Sequence, residues 1–191
     1  RPSHADGLHL DVWADGVNVL RDGGTFSYRP AAPEAAAYFP GTVAHNTVEF
    51  DERDQMPRIG RFLFGEWLDL SALTYDEARP DEVAAEYVDW CGARHRRTVR
   101  WQPDRIEVDD EVSGFARSAC LRWRLVHANW QDIPGGVSSA LARLTVTADV
   151  PLDLRQTNGA ESRCYGEQSG LSVIEVRTQR ATVLRTTIEF H

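Results

Sequence analysis

Two histidines and one aspartate carry the most specific chemistry in this sequence. His4 stands in Ser3-His4-Ala5-Asp6, Asp22 opens Asp22-Gly23-Gly24-Thr25, and His45 begins His45-Asn46-Thr47. Two imidazoles and one carboxylate, with one position open, suit Zn2+, whose nitrogen ligands sit about 2.0–2.1 Å away; another divalent metal is the alternative. Asn46 and Thr47 would then orient the ligands from behind. The same residues have plainer uses. An aspartate before Gly-Gly is a natural turn residue, and histidines of β domains are commonly surface or satisfied core residues. Spacing alone leaves both readings open. His9 alternates with apolar positions and reads as solvated or groove-lining. His95 and His127 have no sequence-local partner.

Other chemistries find less support. Cys91, Cys120 and Cys164 form no C-x-x-C pair and have no nearby base, so neither a disulfide framework nor a cysteine nucleophile is indicated, although one bridge remains open. There is no G-x-S-x-G segment and no glycine-rich phosphate loop leading into a helix. Six tryptophans invite stacking on sugar rings, but most are assigned to core packing. Trp123, between Leu121 and Leu125 in an alternating run, is the clearest core residue.

The elements that must position these groups are strands. Leu8, Leu10 and Val12 alternate with polar residues, and Asp15-Gly16 then gives a hairpin signal before Val17, Val19 and Leu20. With the turn centred near 15.5, His4 would fall opposite position 27, close to Asp22, while His45 would open a strand of its own. A second hairpin joins residues 97–101 to 105–109 across Gln102-Pro103-Asp104. A third turn is expected at Asn158-Gly159, and Pro134-Gly135-Gly136 marks a loop. Further strands are expected over 46–50, 61–67, 86–91, 119–127, 141–148, 171–176 and 181–190. Short helical turns are expected at 33–39 and at 80–85. This pattern predicts an all-β antiparallel β-sandwich of two packed sheets, with at most one or two short helical turns, as a single domain over residues 1–191.

The chain has 191 residues, 29 acidic against 21 basic, for a net charge of −8. All basic residues are arginine, which reads as codon bias. The negative balance disfavours non-specific nucleic-acid binding. No apolar run approaches the roughly 18 residues of a membrane-spanning helix, so neither nucleic acid nor membrane is expected as a partner. No signal peptide is visible, and the start within motif-bearing sequence predicts a piece of a longer protein.

Several blocks together resemble one family. Residues 3–13, Asp22–Tyr28, Ala44–Val48, Asp54-Gln55-Met56 and His95-Arg96-Arg97 followed by Val108–Val112 are similar, in order and spacing, to the C-terminal domain of heparinase II/III-like polysaccharide lyases. The resemblance covers roughly the first 130 residues; the last third shares only strand-rich character. It implies a β-sandwich that works with an N-terminal (α/α) toroid of the same protein. It implies a metal site at His4, Asp22 and His45. It also implies lyase action on an acidic, uronic-acid-containing polysaccharide such as a glycosaminoglycan by β-elimination. The main catalytic residues would lie in the toroid, and the 191-residue chain alone would be inactive. Tyr28 and Tyr38 are the sandwich-side tyrosines left for catalysis, and Arg96 and Arg97 the substrate-binding arginines. Two departures stand out: Pro2 replaces a histidine that some relatives use, and Phe26 a tyrosine. Family habit implies a periplasmic or secreted protein, with the cytoplasm still open. Two other readings compete. One is a non-catalytic carbohydrate-binding or structural sandwich with a stability-only metal. The other is a cupin-like metal oxidoreductase, which the lack of an H-x-H pair disfavours.

Overall fold

Period-two runs of Val, Ile, Leu and Thr build sixteen described strands, seen in a computed structural model that describes residues 2–30, 33–60, 63–70 and 73–191. In chain order they are β1 (Val12–Ala14), β2 (Val17–Leu20), β3 (Val48–Phe50), β4 (Arg58–Gly60), β5 (Leu63–Phe64), β6 (Thr74–Asp76), β7 (Arg79–Val88) and β8 (Arg94–Trp101). They continue as β9 (Arg105–Ser113), β10 (Ala119–Arg124), β11 (Gln131–Ile133), β12 (Gly136–Ser138), β13 (Ala142–Thr147), β14 (Asp153–Glu161), β15 (Ser169–Thr178) and β16 (Thr182–Phe190). One short helix, α1 (Pro33–Tyr38), and one 3-10 turn (Thr42–Ala44) complete the described elements. No described helix is long and apolar enough to cross a membrane.

The strands form two large antiparallel sheets. One has the order β11-β12-β13-β16-β9-β8-β7-β6, the other β14-β15-β10-β3, with β1-β2 and β4-β5 as separate ribbons. Their inner faces share one core, in which Leu121, Trp123, Ile174 and Val176 meet Val108, Leu144, Leu184 and Ile188. Trp123 lies at its centre, and its indole Nε1–H donates to Thr186 Oγ1 of the opposite sheet at 3.1 Å. A buried indole keeps a partner for its one donor.

The hairpins at Asp15-Gly16 and at 102–104 form as expected. Asp15 (φ 48) and Gly16 (φ 77) both take the left-handed conformation a tight turn requires, and Trp101 pairs with Ile106 across the second hairpin. Pro134-Gly135 turns β11 into β12.

Three expectations are corrected. Residues 80–85 are not helical; they lie in β7. Pro80 precedes the β7–β8 ladder, which begins at Glu82–Arg100, so its missing N–H costs no bond there. Ion pairs Glu82–Arg100 and Glu86–Arg94 then hold the strand. Asn158-Gly159 is no turn; both residues pair within the β14–β15 ladder. The glycine is there for space, because a Cβ would lie 2.7 Å from Val173 Cγ2 and 2.9 Å from the Tyr38 hydroxyl. Finally, the alternating run from Leu8 is not one strand. Leu8 takes φ 58, which interrupts it, and only Val12–Ala14 pairs. Of the strand expected over 61–67, residues 61 and 62 lie outside the described residues, Leu63–Phe64 form β5, and 65–67 are not strand, the chain bending at Gly65 and Glu66, which takes φ 43.

Candidate metal centre

The Asp22 loop is threaded between two other backbones, and that determines its sequence. The Gly23 N–H donates to the Ala44 carbonyl at 3.0 Å, and the Ser162 N–H donates to the Gly23 carbonyl at 2.8 Å. A Cβ on Gly24, which has φ +75, would lie 2.1 Å from the Ser162 carbonyl oxygen. Only glycine meets both conditions. The Asp22 carboxylate folds back on this turn, and its Oδ1 accepts the Gly24 N–H at 2.5 Å. Arg21, one residue earlier, ties the loop to β14 by pairing with Glu161 at 2.8 Å. Gly24→Ala is therefore expected to destabilise the protein by about 3 kcal/mol, from the left-handed backbone and the clash together. Urea unfolding checks this, and a variant as stable as the parent would contradict the close approach.

His45 follows the 3-10 turn and is fully buried. Its Nδ1 lies 2.8 Å from the Gly41 carbonyl. A carbonyl can only accept, so Nδ1 carries the proton and Nε2 presents a lone pair. Burial pushes the His45 pKa down to about 4, despite the opposing pull of Asp22, so the ring is neutral at neutral pH. Around that lone pair stand His4 Nδ1 at 3.2 Å and Asp22 Oδ2 at 3.5 Å. One ligand atom from each of His4, Asp22 and His45 lies within 4.8 Å of the others. Among the described residues this is the one such group of three. The hairpin ladder does not bring them together, because it ends at Val12–Leu20; loop-to-loop hydrogen bonds do.

Asn46 is the main knot in that mesh. Its backbone N–H donates to His9 Nδ1 at 2.9 Å, and its side-chain amide donates to the carbonyls of Leu10 and Arg21. Its Oδ1 accepts the Arg124 N–H at 2.6 Å. Thr47 donates to the Gly7 carbonyl at 2.6 Å, and Gln55 braces the Gly7 segment from both sides. Both residues thus hold the segments that bear His4, His9 and Asp22. His9, read as solvated or groove-lining, instead turns inward beside Asp22 and His45. Burial, together with Arg97 and Arg124, pushes its pKa down to about 4 against the pull of Asp22. The positive φ at Leu8 breaks the alternation from which the outward reading came.

The remaining candidates separate clearly. Arg97 is withdrawn from any substrate: it is buried, pairs with Asp110 at 2.7 and 3.1 Å, and donates to the carbonyls of Leu8 and Asn46. Arg96 lies at the surface beside Glu111. The Tyr38 hydroxyl accepts from Arg124 Nη1 and from the Ala160 N–H, each at 2.9 Å, and serves as a strut. Tyr28 is largely exposed and, with His4, Thr25 and Arg58, lines a pocket of about 120 Å³. Arg58 was not singled out by the sequence, since it lies outside every motif. On the other side of Asp22, Trp13, Arg21 and Arg163 line a shallow cleft. Trp13, Trp67, Trp90 and Trp101 are all exposed, by 42–65%, so most tryptophans are at the surface and not in the core. The three cysteines are free.

Comparison with known proteins agrees with this architecture. In solved structures the chain is similar to a heparinase III (TM-score 0.78, 16% identity) and to the heparan sulfate lyase HepC from Pedobacter heparinus (TM-score 0.75, 15% identity). Each match covers 98% of this chain but only 30% and 31% of those proteins. The chain thus spans under a third of their length, and at this identity the likeness concerns the fold. No curated protein sequence matches it. The family model for the Heparinase II/III-like C-terminal region matches residues 1–186. With a match across almost its whole length, the chain belongs to the heparinase II/III-like C-terminal family.

Proposed function

We propose that this chain is the β-sandwich part of a polysaccharide lyase that cleaves uronic-acid-containing glycans by β-elimination. In this reading a divalent metal, zinc in the first instance, is held by His4, Asp22 and His45 at the edge of the cleft. The observation that carries it is the convergence of those three ligand atoms beside a pocket that also holds Tyr28 and Arg58. The donor set supports zinc. Two nitrogens bound 2.0–2.1 Å from one tetrahedral ion lie about 3.3 Å apart, and His4 Nδ1 and His45 Nε2 are 3.2 Å apart. With His45 Nε2 as acceptor, His4 Nδ1–H is the donor, and a cation held by both nitrogens would shift that proton to His4 Nε2. The metal, when bound, supplies positive charge and fixes three loops in register.

The chain's own groups then have distinct tasks. In β-elimination a base takes the C5 proton, the C4–O4 bond breaks, and the departing oxygen takes up a proton. The carboxylate next to C5 must be neutralised for that proton to become acidic. Arg58 offers a guanidinium on the pocket wall for that carboxylate, since arginine binds carboxylates through two parallel N–H bonds. Tyr28 stands on the same wall and is the sandwich-side proton-transfer group; Tyr38, held as a strut, is not. Trp13 and Arg163, across Asp22, suit the apolar face and the charge of a neighbouring sugar. The rest of the machinery comes from an N-terminal toroid, consistent with neighbours of known structure more than three times as long.

The test uses the full-length encoded protein on heparin, heparan sulfate, alginate and hyaluronan, read by absorbance of the unsaturated uronate product. Turnover of at least one of these polymers is expected from the full-length protein, and little or none from residues 1–191 alone. Failure of the zinc-loaded full-length protein on every uronic-acid polymer would overturn the reading.

A further inference from the structure

His9 presents the wrong nitrogen to be a fourth ligand. Its Nδ1 accepts the Asn46 backbone N–H at 2.9 Å. A neutral imidazole has one proton, so that proton sits on Nε2. Flipping the ring would set a carbon against the Asn46 N–H and lose that bond. Nε2 is buried, lies 3.6 Å from Asp22 Oδ2, and has no hydrogen-bond partner. That N–H thus lies just beyond hydrogen-bond distance of a carboxylate oxygen, and buried donors are nearly always satisfied.

We propose that His9 is the positioning residue of this cluster: its Nε2–H donates to the Asp22 carboxylate, and His9 is not a ligand. Asp22 is then held at both oxygens, by the Gly24 N–H on Oδ1 and by His9 on Oδ2. The remaining lone pair of Oδ2 is thereby turned toward His4 and His45. Outer partners of this kind fix a ligand's orientation and typically change metal affinity by about 10–100-fold. The role in metal binding rests on the reading above; the tautomer does not.

The experiment combines two readouts. Long-range proton–nitrogen NMR on the nitrogen-15-labelled chain assigns the His9 tautomer, without metal and with zinc. Zinc titration against a chromophoric chelator compares the parent with His9→Leu and His9→Gln. The Nε2–H tautomer is expected in both states. His9→Leu should bind zinc about 10–100-fold more weakly, and His9→Gln, whose amide can still donate, should recover much of that loss. X-ray absorption of the zinc-loaded parent should count two imidazoles. A proton on Nδ1, a His9 ring with no proton when zinc is bound, a third imidazole, or parent-like affinity in His9→Leu would each overturn the proposal. If the parent binds no zinc, the metal reading fails, and the tautomer still decides whether His9 is a donor.

Discussion

Supplied with zinc at about 1,000 times its dissociation constant, the parent chain is expected to gain about 4 kcal/mol of stability. For a chain of this size that raises its melting temperature on the order of 10 °C. His45→Ala and Asp22→Ala should each abolish the shift and leave the dialysed protein without stoichiometric metal. The reasoning is local. His45 Nε2 is a lone pair fixed by the Gly41 carbonyl, and Asp22 Oδ2 faces it at 3.5 Å. The pH dependence follows from the same burial. Between about pH 6.5 and pH 4 the unfolded chain protonates His9 and His45, while the folded chain, with both near 4, does not. The unfolded state therefore binds more protons in that window. Metal-free stability should rise with pH through it and be lost as pH falls toward 4. Metal binding should weaken as pH falls through the histidine range, because a bound imidazole must give up its proton at the ligating nitrogen. Elemental analysis with thermal melts at stepped pH is the check. A parent that stays metal-free with zinc supplied, or variants that keep full occupancy, would refute the site.

Arg97→Met is expected to cost about 3–5 kcal/mol, the range for breaking a buried ion pair by removing one partner. Asp110 is fully buried, and burial alone would raise its pKa. Arg97 and His95 outweigh that and hold it below the usual carboxylate range. Without Arg97 the carboxylate keeps only His95, at 2.7 Å, and the carbonyls of Leu8 and Asn46 lose their donor. Zinc affinity should fall as well, since those carbonyls belong to the segments that carry His9 and follow His45. Arg96→Met, at the surface beside Glu111, is the control and should change stability by less than about 1 kcal/mol. Chemical unfolding of the two variants side by side decides the matter; equal losses would mean that the buried network has no such role.

Much of the fold was legible because β patterning and turn chemistry are local. Asp15-Gly16 and the 102–104 turn announce their hairpins through backbone preferences that need no tertiary context. The failures came where long-range packing overrides a local cue. Pro80 looked like a helix start and is a strand residue, because its strand is held by cross-strand charges. Asn158-Gly159 looked like a turn, whereas the glycine makes room for Tyr38 and Arg124. At the site, His4, Asp22 and His45 were chosen by residue type and motif order, and the structure brings them together. His9 was misread because a single left-handed residue, Leu8, reverses which way the chain faces, and periodicity cannot register that. Arg97 resembled a substrate-binding arginine in sequence; its buried partner, Asp110, lies thirteen residues away and becomes adjacent only through the β8–β9 ladder.

The hydrogen bonds from Arg97 to the carbonyls of Leu8 and Asn46 reach 89 and 51 residues along the chain. The guanidinium that makes them sits on a hairpin whose two strands are joined by a three-residue tip. Local pairs of that kind close early in folding, whereas contacts across long loops wait for the entropy of closure to be offset. The segments around Leu8 and Asn46 are therefore expected to dock after the β8–β9 hairpin and the core around Trp123 have formed. His4, Asp22 and His45 precede β8 and β9 in the chain, so until that hairpin forms their side chains are expected to stay as open to solvent and stray ions as those of any unfolded peptide.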